Sequence, residues 1–164
     1  MSVFVDDIQS SAWGEPIASW TYSSGVAVVD FTDLSGYRDL LLWYDALTHA
    51  SGGTTYFGVQ TSTDNGATFA ASGYTGAGVA VATRFVLSST VAAATPIMGV
   101  ANMIDLNTAA DRTKFWVSGG LEGSSTVFSR TGVRTAELNN AIRIGPQDGS
   151  NFSAGRMVLY GRRG

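Results

Sequence analysis

One octet constrains the fold of this chain more than any other stretch, because its turn residues agree with the strand patterns around it. It reads Ser62-Thr63-Asp64-Asn65-Gly66-Ala67-Thr68-Phe69. Asp, Asn and Gly tolerate a positive φ, and an Asp side chain can also bond the backbone two residues on. Residues 55–61 alternate around Phe57 and Val59, and the octet ends in two β-prone residues. The octet therefore predicts a β-hairpin, with a returning strand that starts at Thr68.

The octet also resembles the Asp-box, a structural hairpin motif of sialidases and many extracellular β-proteins. The resemblance rests on Ser62, Asp64, Gly66 and Phe69, the last standing where Trp is commoner. We predict that these four residues build a structural turn. A sialidase propeller would carry several boxes, whereas this chain has one and no internal repeat. If Phe69 packs between two sheets, truncating it should cost more stability than Gly66→Val, and Asp64→Ala should cost least.

Short β-prone runs separated by turn residues continue along the chain. Residues 37–47 are apolar on both faces between Leu40 and Tyr44, and with Gly and Ser on both flanks they predict a central strand, with a helix as the alternative. Residues 115–121 and 126–134 flank a turn and predict a second hairpin. Twenty glycines and only 14% charged residues leave little material for amphipathic helices. The predicted fold class is all-β: an antiparallel two-sheet β-sandwich, jelly-roll-like, with about nine or ten strands.

The length of 164 residues suits one domain. Residues 1–19 show weak periodicity and contain the breakers Gly14 and Pro16, so we predict an N-terminal arm or irregular lead-in there. Residues 20–164 then form a single β-sandwich domain. An arm of this kind is placed to reach a neighbouring subunit.

Charge and composition exclude several function classes. A net charge of −3, with Lys114 as the single lysine, argues against binding of nucleic acid. The chain has no cysteine, no signal-peptide pattern and no apolar run of about 18 residues that could span a membrane, so we expect it to fold in a cytoplasm. A surface this poor in charge is more easily covered by copies of itself or by a larger assembly than kept soluble alone.

The sequence carries no catalytic signature, and we predict no enzyme, cofactor or metal site. His49 is the only histidine and reads as a loop residue, so a histidine-rich zinc site is excluded. The acidic residues are scattered, and most lie in turns, where their side chains bond the local backbone. Asp64, Asn65 and Asp148 are oxygen-rich loop residues, but their spacing does not fit an EF-hand; a structural Ca²⁺ in a loop stays open.

Aromatic residues give the best case for binding, since flat rings offer large contact area. Trp43 and Trp116 lie within strong strand patterns and are expected to be buried. Trp13 and Tyr74 lie in irregular segments and are the candidate partner contacts. The Gly-rich loop 72–78 around Tyr74 is a candidate contact surface, and with the loop 48–53 it could hold a sugar.

Three stretches together resemble the small β-sandwich structural proteins of tailed bacteriophages, which serve as head decoration or cement proteins and as domains of minor tail and fibre proteins. They read Leu34-Ser35-Gly36-Tyr37-Arg38-Asp39-Leu40, the octet, and Phe152-Ser153-Ala154-Gly155-Arg156-Met157-Val158-Leu159-Tyr160-Gly161. The resemblance implies a non-enzymatic virion protein, commonly a homotrimer, assembled in the host cytoplasm on the major capsid protein or other virion proteins. The alternative is a tail-tip or carbohydrate-binding module that recognises a host-surface glycan.

Overall fold

The structure is a computed structural model, and it describes residues 13–76 and 83–164. Its regular elements over these residues are fifteen β-strands. They are β1 Pro16–Thr21, β2 Val29–Phe31, β3 Asp39–His49, β4 Thr54–Thr55, β5 Phe57–Ser62, β6 Tyr74–Thr75, β7 Phe85–Val86, β8 Val91–Ala92, β9 Ile97–Ile104, β10 Asn107–Thr108, β11 Thr113–Leu121, β12 Val127–Arg134, β13 Glu137–Leu138, β14 Ala141–Pro146 and β15 Phe152–Arg162.

Two sheets carry most of these strands, and all of their pairings are antiparallel. The large sheet has seven strands in the order β1-β15-β3-β9-β11-β12-β6, and the small sheet has four in the order β2-β14-β5-β7. Two further pairs, β10-β13 and β4-β8, form separate two-stranded sheets. The all-β class with antiparallel sheets is confirmed.

The hydrophobic core receives side chains from both sheets. Phe57 of the small sheet stacks on Phe152 of the large sheet with ring centroids 5.5 Å apart. Phe85 of the small sheet stacks on Phe115 of the large sheet at 4.5 Å. Aromatic pairs of this kind add to the stabilisation that burial of apolar area provides.

Strand β3 matches the prediction for the apolar segment. It lies inside the large sheet between β15 and β9, and its alternate residues Leu40, Leu42 and Tyr44 are fully buried in the core. The second predicted hairpin is also confirmed, because β11 and β12 pair antiparallel across the turn at 122–126.

The strand count of fifteen exceeds the nine or ten predicted. Six of the fifteen, β4, β6, β7, β8, β10 and β13, are two residues long. A two-residue ladder shows no alternation in the sequence, so the pattern that identifies longer strands cannot detect it.

The predicted boundary between an arm at 1–19 and a domain from residue 20 falls inside a strand. Strand β1 begins at Pro16 and pairs with β15 at the edge of the large sheet, with Trp20 opposite Met157. Residues 16–19 therefore belong to the sheet. Residues 1–12 of the predicted arm lie outside the described part of the chain.

The hairpin predicted at the octet was wrong, although its turn was right. Asn65 and Gly66 have φ values of 58° and 91°, the left-handed geometry expected there. Strand β5, however, pairs with β14 and β7, and residues 63–73 contain no strand. After the turn a single backbone bond, from Ala70 N to Thr61 O at 3.0 Å, joins the chain to β5. The residue types of the turn determine that the chain reverses direction at Asn65 and Gly66, but they do not determine where the chain runs afterwards.

Candidate functional site

The octet forms a closed hydrogen-bonded turn. Ser62 Oγ donates to Asp64 Oδ1 at 2.6 Å and accepts from Gly66 N at 2.9 Å. Asp64 also accepts from Thr68, from the backbone N at 2.9 Å and from the hydroxyl at 2.6 Å. Hydrogen bonds from the Ser62 and Thr68 side chains lower the pKa of Asp64 to about 2, because they stabilise its charged form.

The turn is fixed to two distant segments, which supports a structural role. Asn65 Oδ1 accepts from Asp33 N at 2.7 Å, and Asn65 Nδ2 donates to Asp33 Oδ1 at 2.8 Å. Asn65 N donates to Asn140 Oδ1 at 2.8 Å. The side-chain amide and the backbone N–H of Asn65 thus have partners within the chain. The predicted structural-turn residues Ser62, Asp64 and Gly66 lie together here.

Phe69 does not pack between the sheets. It is half-buried on the outer side of the small sheet, where the guanidinium of Arg143 lies 4.0 Å from its ring centroid. Arg143 is held by a bidentate pair with Asp30, with both N–O distances 2.7 Å. The Phe69 ring therefore covers a charged strand position and is not part of the core.

Tyr74 was predicted as a partner contact, and this was wrong. It is 2% exposed, its ring packs edge-on against Phe85 at 4.9 Å, and its hydroxyl accepts from Thr61 N at 2.8 Å. The segment predicted as the loop 72–78 contains β6, which pairs with β12. Positions 77 and 78 of that loop lie outside the described residues. Tyr74 is a core residue that joins the two sheets.

Two other predicted positions also acquire a definite place. Trp13 is half-buried, and the guanidinium of Arg162 lies 5.3 Å from its ring centroid. His49, predicted as a loop residue, instead ends β3 and is 1% exposed. Its Nε2 donates to Val91 O at 3.1 Å, and its Nδ1 accepts from Ser51 N at 3.2 Å. His49 is thus a satisfied buried residue with no free ring nitrogen.

The outer face of the large sheet carries the most exposed apolar surface. Along β11, Thr113, Phe115 and Val117 are buried, while the alternate residues Lys114, Trp116 and Ser118 point outward. Trp116 is 44% exposed, so its predicted burial was wrong. Because successive residues of β11 point to opposite faces, only one of two neighbouring aromatic residues can be buried; Phe115 is in the core and Trp116 points outward.

Trp116 belongs to a group of outward positions on three adjacent strands, which we call the open patch: Met98, Trp116, Ser118, Gly120 and Val127. Of the six large hydrophobic residues exposed in the described part of the chain, Met98, Trp116 and Val127 are three. Gly120 pairs with Met98 on β9 and with Val127 on β12. Because Gly120 has no side chain, a groove of about 370 Å³ runs between its two exposed neighbours.

Trp43 faces outward on the same side, two strands from Trp116. It is half-buried, and the guanidinium of Arg156 lies 4.8 Å from its ring centroid. Arg156 is paired with Asp45 at 3.0 Å. The Trp43 ring is therefore partly covered by a neighbour on its own sheet, which leaves Trp116 as the more accessible of the two.

Charged residues surround one end of this face. Asp105 is nearly buried, accepts from Arg38 Nε at 2.8 Å and also pairs with Lys114. The Lys114 hydrogen bond, aided by Arg38, lowers the pKa of Asp105 against the opposing effect of burial. Arg38 also lines a polar pocket of about 380 Å³, but its guanidinium already has Asp105 as a partner.

No metal centre emerges in the described part of the chain. Over residues 13–76 and 83–164, no group of three or more His, Asp or Glu side chains is placed to hold an ion. Asp64 and Asn65 use their oxygens on local backbone and hydroxyl groups. Among the described residues, no helix is long and apolar enough to cross a membrane.

Comparison with known proteins gives no family. No protein-family model matches the chain, and no curated protein matches it in sequence.

Sequence reasoning missed the open patch. Met98 lies more than twenty residues before Gly120 and Val127, and only the register of β9 against β11 brings it beside them. The predicted hairpin contained one indication of exposed apolar surface: Val127 begins the second strand directly after a polar turn. The sequence could not show which face of that strand would be left uncovered.

Proposed function

We propose that this protein is a non-enzymatic structural protein that acts by association, with copies of itself and with other proteins of a virus particle. The observation that carries the proposal is the open patch, an exposed apolar surface on an otherwise well-formed sheet. Contiguous exposed apolar surface on a soluble domain marks an interaction site. The groups that could perform chemistry, such as His49 and Asp105, are buried or paired.

The proposed architecture is a jelly-roll-like sandwich of the large and small sheets. Two features support it: the aromatic pairs that bridge the sheets, and a chain that passes repeatedly from one sheet to the other. Strands β1, β2 and β3 lie in the large, small and large sheet in turn, and β14 and β15 alternate likewise. Such crossings are typical of sandwiches with Greek-key connections.

Within a particle, we propose the role of a capsid decoration or cement protein, assembled in the host cytoplasm on the major capsid protein, with the homotrimer implied by the phage resemblance. The low charge of the chain supports a location in which much of its surface is covered. Its mechanism is burial of apolar area at subunit contacts, which makes the particle harder to open.

Antibody labelling of purified virus particles tests this proposal. Particles would be isolated from cells that produce the protein and viewed by electron microscopy after labelling with an antibody against it. Label distributed over the head is the expected result. Label confined to the tail tip would favour the second candidate below, and unlabelled particles would contradict a virion role.

The second candidate is a glycan-binding module of a tail. Trp43 and Trp116 support it, because both face outward on one flat sheet and sugars stack on such rings. Strand geometry places their Cα atoms about 12 Å apart, from two strand spacings and two residue steps. A glycan array probed with the wild type and with Trp116→Ala distinguishes the candidates. Binding that is lost with Trp116→Ala supports this one, and an array without signal excludes it.

A further inference from the structure

We propose that two copies of this chain pair face to face through the open patch, with Trp116 of each copy seated in the groove at Gly120 of the other. The inference rests on the proposed function only for the premise that the protein self-associates, and it replaces the three-fold association that the phage resemblance implies by a two-fold one. It names the surface and the symmetry of the contact, and it does not depend on a virus particle.

The geometry of β11 makes the patch complementary to itself. Trp116 and Gly120 both point outward and lie four residues apart, about 14 Å in a strand, with Ser118 midway between them. A two-fold axis parallel to the sheet, perpendicular to β11 and passing over Ser118, exchanges the two positions. It places each Trp116 over the Gly120 of the other copy, which is the arrangement of an isologous interface.

The groove is shaped for a flat ring. It has a volume of about 370 Å³, its floor at Gly120 has no side chain, and Met98 and Val127 form its walls. These walls are 36% and 82% exposed, so an inserted indole would cover apolar atoms that now face solvent. A buried Trp in a central pocket is a common anchor of protein interfaces.

Charge agrees with the same symmetry operation. Lys114 lies four residues before Ser118 and Glu122 four residues after it, so the axis brings Lys114 of one copy next to Glu122 of the other. Lys114 is about half exposed and pairs with Asp105 of its own copy, but Arg38, Lys114 and Asp105 together retain one positive charge. Glu122 is exposed in the turn that directly follows β11. Opposite charges meet at both ends of the contact, which favours this orientation over a parallel one.

The available area is sufficient for a specific pair. The outer face of β3, β9, β11 and β12 spans about 19 Å across the strands and about 27 Å along them, from the standard strand spacing and rise. Its flat footprint is about 500 Å² per copy, or about 1,000 Å² for two copies, and the corrugated side-chain surface adds to this. Specific interfaces begin at about 1,000 Å².

Sedimentation velocity of the full chain over about 1–200 µM tests the pairing. The wild type is expected to form dimers in this range. Ser118→Arg places two guanidinium groups against each other at the axis and should raise the dimer dissociation constant at least about tenfold. Val127→Arg, at a strongly exposed groove wall, should act in the same direction. Leu138→Arg on β13 is the matched control, since Leu138 is 56% exposed but lies outside the large sheet, and it should leave the dimer unchanged.

Cross-linking provides an independent readout, because the chain has no cysteine of its own. Ser118→Cys treated with a short bismaleimide should give a covalent dimer in high yield, whereas Leu138→Cys should not. A wild type that is monomeric throughout the range would overturn the inference. So would any oligomer, including a trimer, that persists in folded Ser118→Arg and Val127→Arg proteins. Failure of the particle-labelling experiment alone would remove the virion role and leave the pairing intact.

Discussion

The outer faces of the two sheets differ in what covers them. On the small sheet, the chain that leaves the octet covers the strands: Phe69 lies over Arg143, and Gln60 Nε2 donates to Ala70 O at 3.0 Å and to Thr83 O at 3.2 Å. On the large sheet, Trp116 and Val127 remain 44% and 82% exposed. The chain uses its own loop on one face and leaves apolar side chains accessible on the other.

The difference separates two roles of aromatic residues on an outer face: stabilising the single chain and binding a partner. An aromatic ring on the covered face, such as Phe69, contributes to the stability of the single chain. An aromatic ring on the open face, such as Trp116, keeps 44% of its surface exposed and is available to a partner. Substitutions in the core, in the turn and on the two outer faces test this division.

Tyr74→Ala should destabilise the protein most. Tyr74 is buried, packs on Phe85 and caps Thr61 N, so its truncation leaves a cavity and an unpaired backbone group. Loss of a large buried aromatic residue costs about 3–5 kcal/mol. Tyr74→Phe keeps the packing but leaves Thr61 N without its acceptor, so it should cost about 1–3 kcal/mol. Chemical denaturation measures both, and a Tyr74→Ala protein as stable as the wild type would contradict the core position of Tyr74.

Gly66→Val should cost about 1–3 kcal/mol through strain in the turn that leads to the covering segment. Its φ is +91°, and a Cβ there would lie 3.2 Å from Thr32 Cγ2. Gly52→Val is a suitable control, since a Cβ at Gly52 meets no atom within 4 Å and its φ is not in the left-handed region. Equal denaturation midpoints for the two variants would exclude strain as the cause.

Phe69→Ala should cost about 1–2 kcal/mol, because the ring is half-buried and lies over one guanidinium. Because Phe69 lies outside the core, its truncation should cost less stability than Gly66→Val, which reverses the order expected from the sequence. Arg143→Met retains an unbranched side chain under the ring and should lose part of the same free energy of unfolding. A cost of Phe69→Ala near that of Tyr74→Ala would show that Phe69 is a core residue after all.

Asp64 should make stability depend on pH only in acid. Its pKa is about 2 in the folded chain and about 3.9 in the unfolded chain, so the unfolded state binds the proton first as pH falls. The stabilisation from its carboxylate is complete above about pH 5 and is lost progressively as the pH falls through the folded pKa near 2. Urea denaturation of the wild type and Asp64→Asn across this range measures the difference, which should shrink as pH falls. A constant difference would show that Asp64 has an ordinary pKa in the fold.

Trp116→Ala should change the stability of the single chain by no more than about 0.5 kcal/mol, as is typical of exposed positions. The measurement requires a protein concentration below that of self-association, because pairing stabilises the folded state by mass action. A larger loss at low concentration would place Trp116 within the fold of the single chain.

The sequence predicted the features that local chemistry controls. Positive φ values at Asn65 and Gly66, the β11–β12 hairpin and the apolar strand β3 follow from residue types within a few positions. What it could not predict depends on contacts distant in the chain. The path after the octet is fixed by Arg143, more than seventy residues away, and Tyr74 sits in a strand of two residues that shows no periodicity.

Contacts between distant strands also decide the positions at which the predictions for the candidate site were wrong. Phe115 and Trp116 are adjacent aromatic residues on opposite faces of β11, and the neighbouring sequence does not determine which of them is buried in the core. Tyr74 was predicted outside and lies inside, while Trp116 was predicted inside and lies outside. In both cases a core position was confused with a surface position. The pairing of the strands in the sheets decides which of the two positions each residue takes.

The most direct test compares Phe69→Ala and Trp116→Ala in two assays on the same samples: urea denaturation at low concentration and sedimentation velocity at high concentration. We predict that Phe69→Ala lowers the free energy of unfolding and leaves self-association unchanged. Trp116→Ala should do the opposite, with an unchanged free energy of unfolding and weakened association. If Phe69→Ala weakens association, or if Trp116→Ala destabilises the single chain as strongly as Phe69→Ala, the two faces do not divide stability from association.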